Sequence, residues 1–368
     1  MSKRSSVGLG VGRKAKRRRR HFYVVMDDGE GYAVRKFDLS PDFGSSDDDT
    51  ADHQLLQQRT ADVTEQRLPR AVIGLDSLTS AYFAAIGTKI MVTHGPLPDR
   101  AAPIVFDVRT RRLNHGPRPS ACPRNPIYLP LGDKLVSIDA GSTELLRPPP
   151  NCSFIEWSWD KLPEPPFKCS AVTSYAAHPD GRTVFFSIMN RDKATTFTLD
   201  TESEQWKRHG EWMLPFSQQA HFDPELDAWV GLSGYRDTRG YLCSSDVPPS
   251  LDKATSINKQ RPAWKLGKEK MFGQDPAEEH TSAILAYMGR RSRFCLVQCF
   301  SVLDEDYDDI YIANKADRPR RHLLRLTSFS LKYDKNGDLQ ASSRRQVRCY
   351  KLPDVIAPIH NDLQAFWM

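Results

Sequence analysis

The chain has 368 residues, of which 39% are hydrophobic, and its 26 prolines and 21 glycines are spread along its length. This composition favours many short strands over long helices, and because 18 consecutive apolar residues occur nowhere, it excludes a membrane-spanning helix. The net charge of +6 comes from the first 20 residues, which hold nine basic residues and no acid. The rest of the chain is slightly acidic, so a basic nucleic-acid-binding face on the folded part is not predicted.

Residues 1–20 lack the apolar content of a core and are predicted to be a disordered basic tail. Their closely spaced cations form a candidate nuclear import signal, because an extended cationic segment matches an acidic receptor groove. The residues of this candidate signal are Arg13, Lys14, Lys16, Arg17, Arg18, Arg19 and Arg20. The alternatives are contacts to nucleic-acid phosphates without base specificity, or a solvated tail with no address. We expect an import receptor as the partner of the tail, and the nucleus in preference to the cytoplasm.

Residues 21–368 are predicted to form a single β-propeller domain. Its first element is a hairpin whose apolar strands, 22–26 and 32–39, are joined by a turn rich in Asp and Gly. Residues 41–69 are predicted to be a mobile polar loop. Because closing the ring removes exposed sheet edges, we expect the hairpin to pair with C-terminal strands near residues 347–352.

From residue 71 onward a second type of hairpin recurs, in which a Gly or Asp turn precedes an apolar strand. Its copies lie at residues 86–92, 131–136, 179–186, 224–231 and 288–297. The turn glycines Gly87, Gly132 and Gly181 are 45 and 49 residues apart, which is the length of one four-stranded propeller blade. The long segment 250–280, between the fourth and fifth copies, is predicted to be an insertion between blades.

A strand that ends in Asp, followed by a turn and a large apolar residue, repeats with the same spacing. Its carboxylate is suited to accept the backbone N–H groups of the turn, and the apolar residue to pack between blades. The predicted turn-capping residues are Asp107, Asp160, Asp200 and Asp246, and the predicted packing residues are Leu113, Trp206 and Trp229. The two repeats together predict an all-β propeller of about five or six four-stranded blades, and the alternative is an irregular β-sandwich.

The Asp-x-x-Ser-x-x-Trp pattern at residues 200–206 and the hairpin glycines resemble degenerate kelch repeats, although the Gly-Gly pair of kelch blades is single here. Four segments resemble a cereal-grass family of kelch-like proteins of unknown function: 174–185, 206–212, 222–232 and 243–249. The likeness runs from about Phe22 to the C-terminal region. It implies a kelch-type β-propeller and a plant origin, and it implies no activity.

Motifs of catalysis and cofactor binding are not found in the sequence: there is no zinc spacing, phosphate-binding loop or Ser-His-Asp set. Metal ligands on distant loops, as in the copper site of galactose oxidase, leave no local signature, so His178, His221 and His322 are alternatives to ordinary turn or surface histidines. Seven cysteines without a Cys-x-x-Cys pair fit a reducing, intracellular compartment, and Cys295 and Cys299 are predicted to be buried thiols. The acidic run at 304–309 is predicted to be a solvated loop.

The sequence therefore predicts an intracellular, non-enzymatic interaction scaffold that binds a protein partner through the propeller loops and needs no cofactor. One alternative is an enzyme or carbohydrate-binding protein that uses the central mouth of the ring. A second is a nuclear protein whose basic tail contacts nucleic acid.

Overall fold

The computed structural model describes residues 20–27, 29–39, 64–76, 80–95, 102–147, 157–249, 260–303, 320–353 and 363–368. These residues form strands and two short 3-10 turns, Cys169–Ala171 and Arg236–Thr238. Within these ranges, no helix is long and apolar enough to cross a membrane. Of the candidate import signal, only Arg20 belongs to the described residues, and it is exposed. The acidic run at 304–309 also lies outside them.

The strands are named in chain order. The first thirteen are β1 (Phe22–Asp27), β2 (Gly31–Phe37), β3 (Glu65–Arg67), β4 (Ala71–Asp76), β5 (Ala81–Ile86), β6 (Lys89–His94), β7 (Ile104–Asp107), β8 (Arg112–His115), β9 (Ile127–Leu131), β10 (Lys134–Asp139), β11 (Ser142–Arg147), β12 (Ser158–Leu162) and β13 (Val172–Ala177). The others are β14 (Thr183–Asn190), β15 (Lys193–Asp200), β16 (Gln205–Gly210), β17 (Gln218–Asp223), β18 (Ala228–Leu232), β19 (Tyr241–Asp246), β20 (Trp264–Lys270), β21 (Glu279–Gly289), β22 (Arg293–Leu303), β23 (Arg320–Tyr333), β24 (Leu339–Ala341), β25 (Gln346–Lys351) and β26 (Gln364–Trp367).

These strands build six antiparallel blades around a common axis. From the inside outward, blade 1 contains β26, β1, β2 and β4, blades 2 to 5 contain β5–β8, β9–β12, β13–β16 and β17–β20, and blade 6 contains β21, β22, β23 and β25. The first strands of successive blades contact each other from β5 through β9, β13, β17 and β21 to β26. Short parallel pairings of β13 with β17 and of β20 with β24 also join neighbouring blades. The predicted β-propeller is confirmed, with the higher of the two predicted blade numbers.

The recurrent hairpins predicted from the sequence are the first hairpins of blades 2 to 6. Gly87, Gly132, Gly181 and Gly289 turn them with φ angles of 59°, 64°, 72° and 83°. In blade 5 this position is taken by Asp227, with φ 49°. Glycine adopts this left-handed conformation without strain and Asp is among the residues that tolerate it, which explains why the repeat survives the change.

The ring is closed within blade 1 and again between blades 1 and 6. At the inner end, β1 pairs with β26, which places Phe22 opposite Trp367. The hairpin therefore pairs with a C-terminal strand as predicted, but its predicted location at residues 347–352 is wrong: β25 instead pairs with β23 as the outer strand of blade 6. At the outer end, β3 leaves blade 1 and pairs in parallel with β25.

Two segments predicted to lack strands contain them. The predicted loop at 41–69 includes β3, which is stabilised by pairing with β25 and by an ion pair between Glu65 and Arg321 at 3.5 Å. The predicted insertion at 250–280 includes β20, which is the fourth strand of blade 5 because it pairs with β19 in the register Cys243 opposite Leu266. Residues 41–63 and 250–259 lie outside the described residues.

Each junction between two blades has its own hydrophobic cluster. Representative pairs are Tyr32 and Phe83 (blades 1 and 2), Met91 and Leu135 (2 and 3), Leu145 and Phe186 (3 and 4), Phe185 and Trp229 (4 and 5), Val230 and Phe294 (5 and 6), and Val24 and Leu326 (6 and 1). A fully buried side chain of this kind contributes about 1.5–3 kcal/mol. The core is thus divided among six interfaces between neighbouring blades.

Candidate functional site

Two of the predicted turn-capping aspartates hold their turns through backbone hydrogen bonds. The Oδ1 atom of Asp107 accepts bonds from the backbone N–H groups of Arg109 (2.9 Å) and Thr110 (3.1 Å). Asp200 accepts the same pair of bonds from the residues two and three positions later, at 2.9 and 3.1 Å. Burial opposes ionisation of Asp107, but these N–H groups and the nearby Lys89 leave the pKa of its carboxyl below the usual value. The two aspartates stabilise turns.

The other two predicted capping residues differ. Asp160 lies inside β12, where it accepts a hydrogen bond from Arg147 Nε at 2.7 Å, so its assignment to a turn is wrong. The strand runs on to Leu162 because that residue packs in the cluster between blades 3 and 4. Asp246 ends β19, and the turn after it continues outside the described residues. Sequence reasoning missed Asp223, whose carboxylate caps the first turn of blade 5 and accepts a bond from Ser292 of blade 6 at 2.8 Å.

The three predicted packing residues have different environments. Leu113 is 54% exposed, so its prediction as a packing residue is wrong; all four residues of β8, the outermost strand of blade 2, are exposed. Trp206 is half-buried between blades 3 and 4. Trp229 is fully buried between blades 4 and 5, where its indole N–H donates to the carbonyl of Ala177 at 2.8 Å.

Tryptophans of the outermost strands form a repeat that the sequence spacing had not singled out. The indole N–H of Trp159 in blade 3 donates to the carbonyl of Pro117 at 3.1 Å, and that of Trp206 in blade 4 donates to Pro163 at 2.9 Å. Each proline follows the last strand of the preceding blade. In both places the tryptophan ties the outer edge of one blade to the end of the blade before it.

The walls around the axis are formed by the first strands of the blades. Acidic and imidazole side chains on the described first strands are His221, Asp223, Glu279 and His280. The other side chains there are aliphatic, aromatic or neutral polar. Across the described ranges, no group of three or more His, Cys, Asp or Glu residues is placed to hold a metal ion.

The three histidines considered as metal ligands lie in three different blades. His178 Nδ1 is 3.0 Å from Asp180 Oδ2 in the first turn of blade 4. His221 Nε2 is hydrogen-bonded to the carbonyl of Leu285 at 2.8 Å, and burial lowers the pKa of its imidazole. His322 lies on β23 of blade 6. The structure does not bring the three together.

A cavity of about 100 Å³ opens between blades 2 and 3, beneath the connection from β8 to β9. It lies on the entry face, which we define as the face where the first strand of each blade begins. Its walls are Thr93, His94, Gly95, Pro103, Arg118, Pro119, Ala121, Cys122 and Pro123. The hydroxyl of Thr93 is fixed by a hydrogen bond to the hydroxyl of Tyr128 at 2.8 Å. The prolines and this bond give the cavity rigid walls.

A histidine and a cysteine share this cavity. Burial lowers the pKa of His94, so its imidazole is neutral near pH 7. Cys122 is half-exposed, whereas Cys243, Cys295, Cys299 and Cys349 are buried. Burial also raises the pKa of Cys295 and Cys299, the latter to about 11, and confirms the prediction of buried thiols there. Cys122 is therefore more accessible than these buried thiols, as is Cys169, which is also half-exposed.

A polar cluster occupies the same face at the start of blade 6. Glu278 Oε2 accepts a bond from Arg325 Nη1 at 3.0 Å, its Oε1 pairs with Nη2, and His280 Nε2 lies 3.0 Å from Oε2. The guanidinium of Arg325 also lies 4.2 Å from the centre of the Phe300 ring. Burial would raise the pKa of Glu278, but hydrogen bonds from His280 and Arg325 lower it to about 2. The cluster is an internally paired ionic lock.

A part of Kuenenia stuttgartiensis hydrazine synthase is similar, with 10% identity and a TM-score of 0.34 over 69% of this chain. The match spans 62% of the hydrazine synthase chain, which is less than two thirds of it. A chain from a nidogen/laminin complex is similar over 73% of this chain and 89% of its own length, with 9% identity and a TM-score of 0.40.

No curated protein matches the sequence. Residues 19–350 match the model of a family described as "Protein of unknown function (DUF1668)". This range begins just before β1 and ends within β25, so it contains blades 2 to 5 and nearly all of blade 6. The chain therefore belongs to the DUF1668 family.

Proposed function

We propose that this propeller is a non-enzymatic scaffold that binds a partner protein at its entry face. The observation that carries this proposal is the cavity between blades 2 and 3, which is rigid and open to solvent. The first strands of blades 1 to 4 support it as well, because they carry no acidic residue or histidine for acid–base chemistry at the axis.

The size of the cavity favours one side chain of a partner over a free small molecule. Sites for small molecules usually enclose about 300–1,000 Å³. The cavity between blades 2 and 3 has about 100 Å³, which suits a single anchoring side chain. Protein interfaces commonly depend on such anchors in well-packed pockets.

The chemistry of the walls defines the anchor further. Pro103, Pro119 and Pro123 supply apolar surface, and His94 is neutral because burial lowers its pKa. A charged side chain would lose its hydration there without a charged partner inside. We therefore propose an uncharged anchor, with the exposed Arg118 at the mouth available to an acidic group beside it.

A displayed library of random peptides tests this proposal. Ala121→Trp is designed to fill the cavity, and Ala140→Trp is the matched control, because Ala140 is exposed between β10 and β11 on the same face but is not part of the cavity wall. We expect the natural protein and Ala140→Trp to enrich the same peptides, and Ala121→Trp to lose them. Equal enrichment by all three proteins would contradict the role of the cavity.

For the basic segment, we propose nuclear import through Arg13, Lys14 and residues 16–20. Its support is the density of cations in the sequence. Removing residues 1–20 from a fluorescent fusion should move the protein from the nucleus to the cytoplasm, and an unchanged location would contradict the proposal. The kelch relationship, the plant origin and the contact of the tail with nucleic acid stay predictions.

A further inference from the structure

A cation is held against two aromatic rings at the outer end of the junction between blades 4 and 5. Tyr235 lies between β18 and β19, and Trp264 begins β20; their ring centres are 5.5 Å apart, with 35° between the planes. The guanidinium carbon of Arg261 lies 5.6 Å from the centre of the Tyr235 ring and 5.3 Å from that of Trp264. Arg261 also donates a hydrogen bond to the Tyr235 hydroxyl. We call Tyr235 and Trp264 the aromatic clamp.

The clamp is positioned by contacts other than those of Arg261. Trp264 packs against the hydrophobic cluster of blades 4 and 5, and its backbone is paired with Ser245 of β19. Tyr235 precedes a 3-10 turn, and its carbonyl accepts a bond from the N–H of Thr238 at 3.1 Å. The two rings therefore have supports of their own and can keep their spacing when another cation takes the place of Arg261.

Arg261 is held less firmly than Arg325, which also lies over an aromatic ring. Arg325 has both Phe300 and the carboxylate of Glu278, and its side chain is largely buried. Arg261 is exposed, and within the described ranges it pairs with no carboxylate. An exposed cation of this kind is exchanged at lower cost, because water or another cation replaces its contacts with the rings and its hydrogen bond to the Tyr235 hydroxyl.

We propose that the aromatic clamp is a binding site for a weakly hydrated cationic side chain of a partner protein, an arginine or a methylated lysine, and that Arg261 occupies it when the partner is absent. Arg261 acts as the model of the ligand, since it shows which charge and shape the two rings accept. Such cations are bound on aromatic faces in proteins. The site is separate from the cavity between blades 2 and 3 and does not depend on its function.

The test uses the full chain with its tryptophans replaced by 5-fluorotryptophan and observed by fluorine NMR. The chain has 7 tryptophans, and the signal of Trp264 is the one lost in Trp264→Phe. The probes are acetyl-Ala-Arg-Ala-amide, its trimethyl-lysine counterpart and its citrulline counterpart, which has the shape of arginine without its charge. Arg261→Gln empties the clamp of its cation, and unchanged signals of the other tryptophans verify that this variant is folded.

We expect both cationic peptides to shift the Trp264 signal of Arg261→Gln in a saturable manner, and the citrulline peptide to leave it unchanged. In the natural protein the same shift should need about tenfold more peptide, because Arg261 competes for the rings. This second measurement keeps the test valid if Arg261→Gln does not fold. No saturable shift in either protein, or an equal shift with citrulline, overturns the proposal. A shift of the Trp264 signal in Arg261→Gln on removal of residues 1–20 also overturns it, since the occupant is then the tail.

Discussion

The junctions on either side of blade 4 are closed at their outer ends in two different ways. Between blades 3 and 4, Trp206 meets the ring of Phe167 edge-on, with ring centres 5.3 Å apart, and its indole N–H is bound by the carbonyl of Pro163. Between blades 4 and 5, the tryptophan of the outermost strand is Trp264, and its neighbours are Tyr235 and the cation of Arg261. The same element of the repeat is completed by an apolar ring in one junction and by a tyrosine ring and a cation in the other.

The contact between Trp206 and Phe167 stabilises the fold, whereas the contact between Trp264 and Arg261 is suited to exchange with another cation. Exposing a buried aromatic ring to water costs free energy in proportion to its apolar area. Exposing a guanidinium to water costs less free energy, because its hydration offsets the lost contact with the rings. We therefore expect Trp206 to matter more for stability than Trp264, and Phe167 more than Arg261.

The largest effect is expected for Trp206→Ala, which removes the contacts with Phe167 and Phe186 together with the bond to Pro163. We expect the free energy of unfolding to fall by about 3 kcal/mol, measured by equilibrium unfolding in urea. Trp264→Ala is the matched variant in blade 5 and should lose about half as much, since one of its neighbours is an exposed cation. Equal losses would show that the two junctions do not differ in this way.

A smaller effect, dependent on pH, is expected at the firmly held arginine. Glu278→Gln removes the carboxylate that pairs with Arg325 and should lower the free energy of unfolding by about 2 kcal/mol at pH 7. The pKa of Glu278 is lowered in the folded protein to about 2, from an ordinary value of 4.5. Its contribution is thus fully present above pH 4.5 and is lost as the pH falls towards 2. The difference between Glu278→Gln and the natural protein should therefore shrink by about 1 kcal/mol at pH 3.5.

The pH series has its own control in Glu279→Gln, one position further along the chain. Glu279 is exposed, and its carboxylate lies 3.1 Å from Arg320 at the surface. Exposed ion pairs contribute little, so this variant should differ from the natural protein by less than about 0.5 kcal/mol at both pH values. A pH-independent loss in Glu278→Gln would mean that packing, and not charge, explains its effect.

Arg261→Ala should have a still smaller effect on stability. The exposed cation contributes about 0.5–1 kcal/mol through its two rings, so we expect the free energy of unfolding to fall by no more than about 1 kcal/mol. Arg325→Ala is the comparison, and it should cost more because it leaves Glu278 largely buried without its partner. If Arg261→Ala proved as damaging as Arg325→Ala, Arg261 would be a structural residue and the aromatic clamp would not be free to exchange it.

The sequence predicts those parts of this fold whose chemistry is local. The first hairpins of blades 2 to 6 need a left-handed turn, so Gly87, Gly132 and Gly181 mark three of them at blade spacing, and Gly289 marks that of blade 6 after a longer interval. The turn-capping role of Asp107 and Asp200 could be predicted for the same reason. Each carboxylate binds the N–H group of the residue two positions later, so the pattern lies in consecutive residues of the sequence. A propeller of five or six blades follows from these repeats.

The strands that close the ring could not be predicted from their own residues. β3, with the sequence Glu-Gln-Arg, has no apolar alternation, and it is a strand because β25 presents a free edge beside it. β26 has only four residues, and β20 alternates poorly. Their conformation depends on neighbours that are distant in the chain.

The two candidate binding sites could not be predicted from the sequence for a related reason. Tyr235 and Trp264 are brought together by the pairing of β19 with β20, and no local motif connects them. The cavity between blades 2 and 3 combines the end of β6 with the connection from β8 to β9. What the sequence does show is the proline content of that connection, which predicts rigidity but no cavity.

The smallest effect is expected at Leu113, the residue of blade 2 predicted from the repeat to pack between blades. It is 54% exposed, and its neighbours along β8 are exposed as well. Leu113→Thr removes little buried surface and suits a strand, so the free energy of unfolding should change by less than about 0.5 kcal/mol in urea. A loss close to that of Trp206→Ala would mean that Leu113 does close the junction between blades 1 and 2. A negligible change would mean that the position on the outermost strand does not by itself stabilise a junction. The stabilisation would then depend on the residues that the side chain contacts in the neighbouring blade.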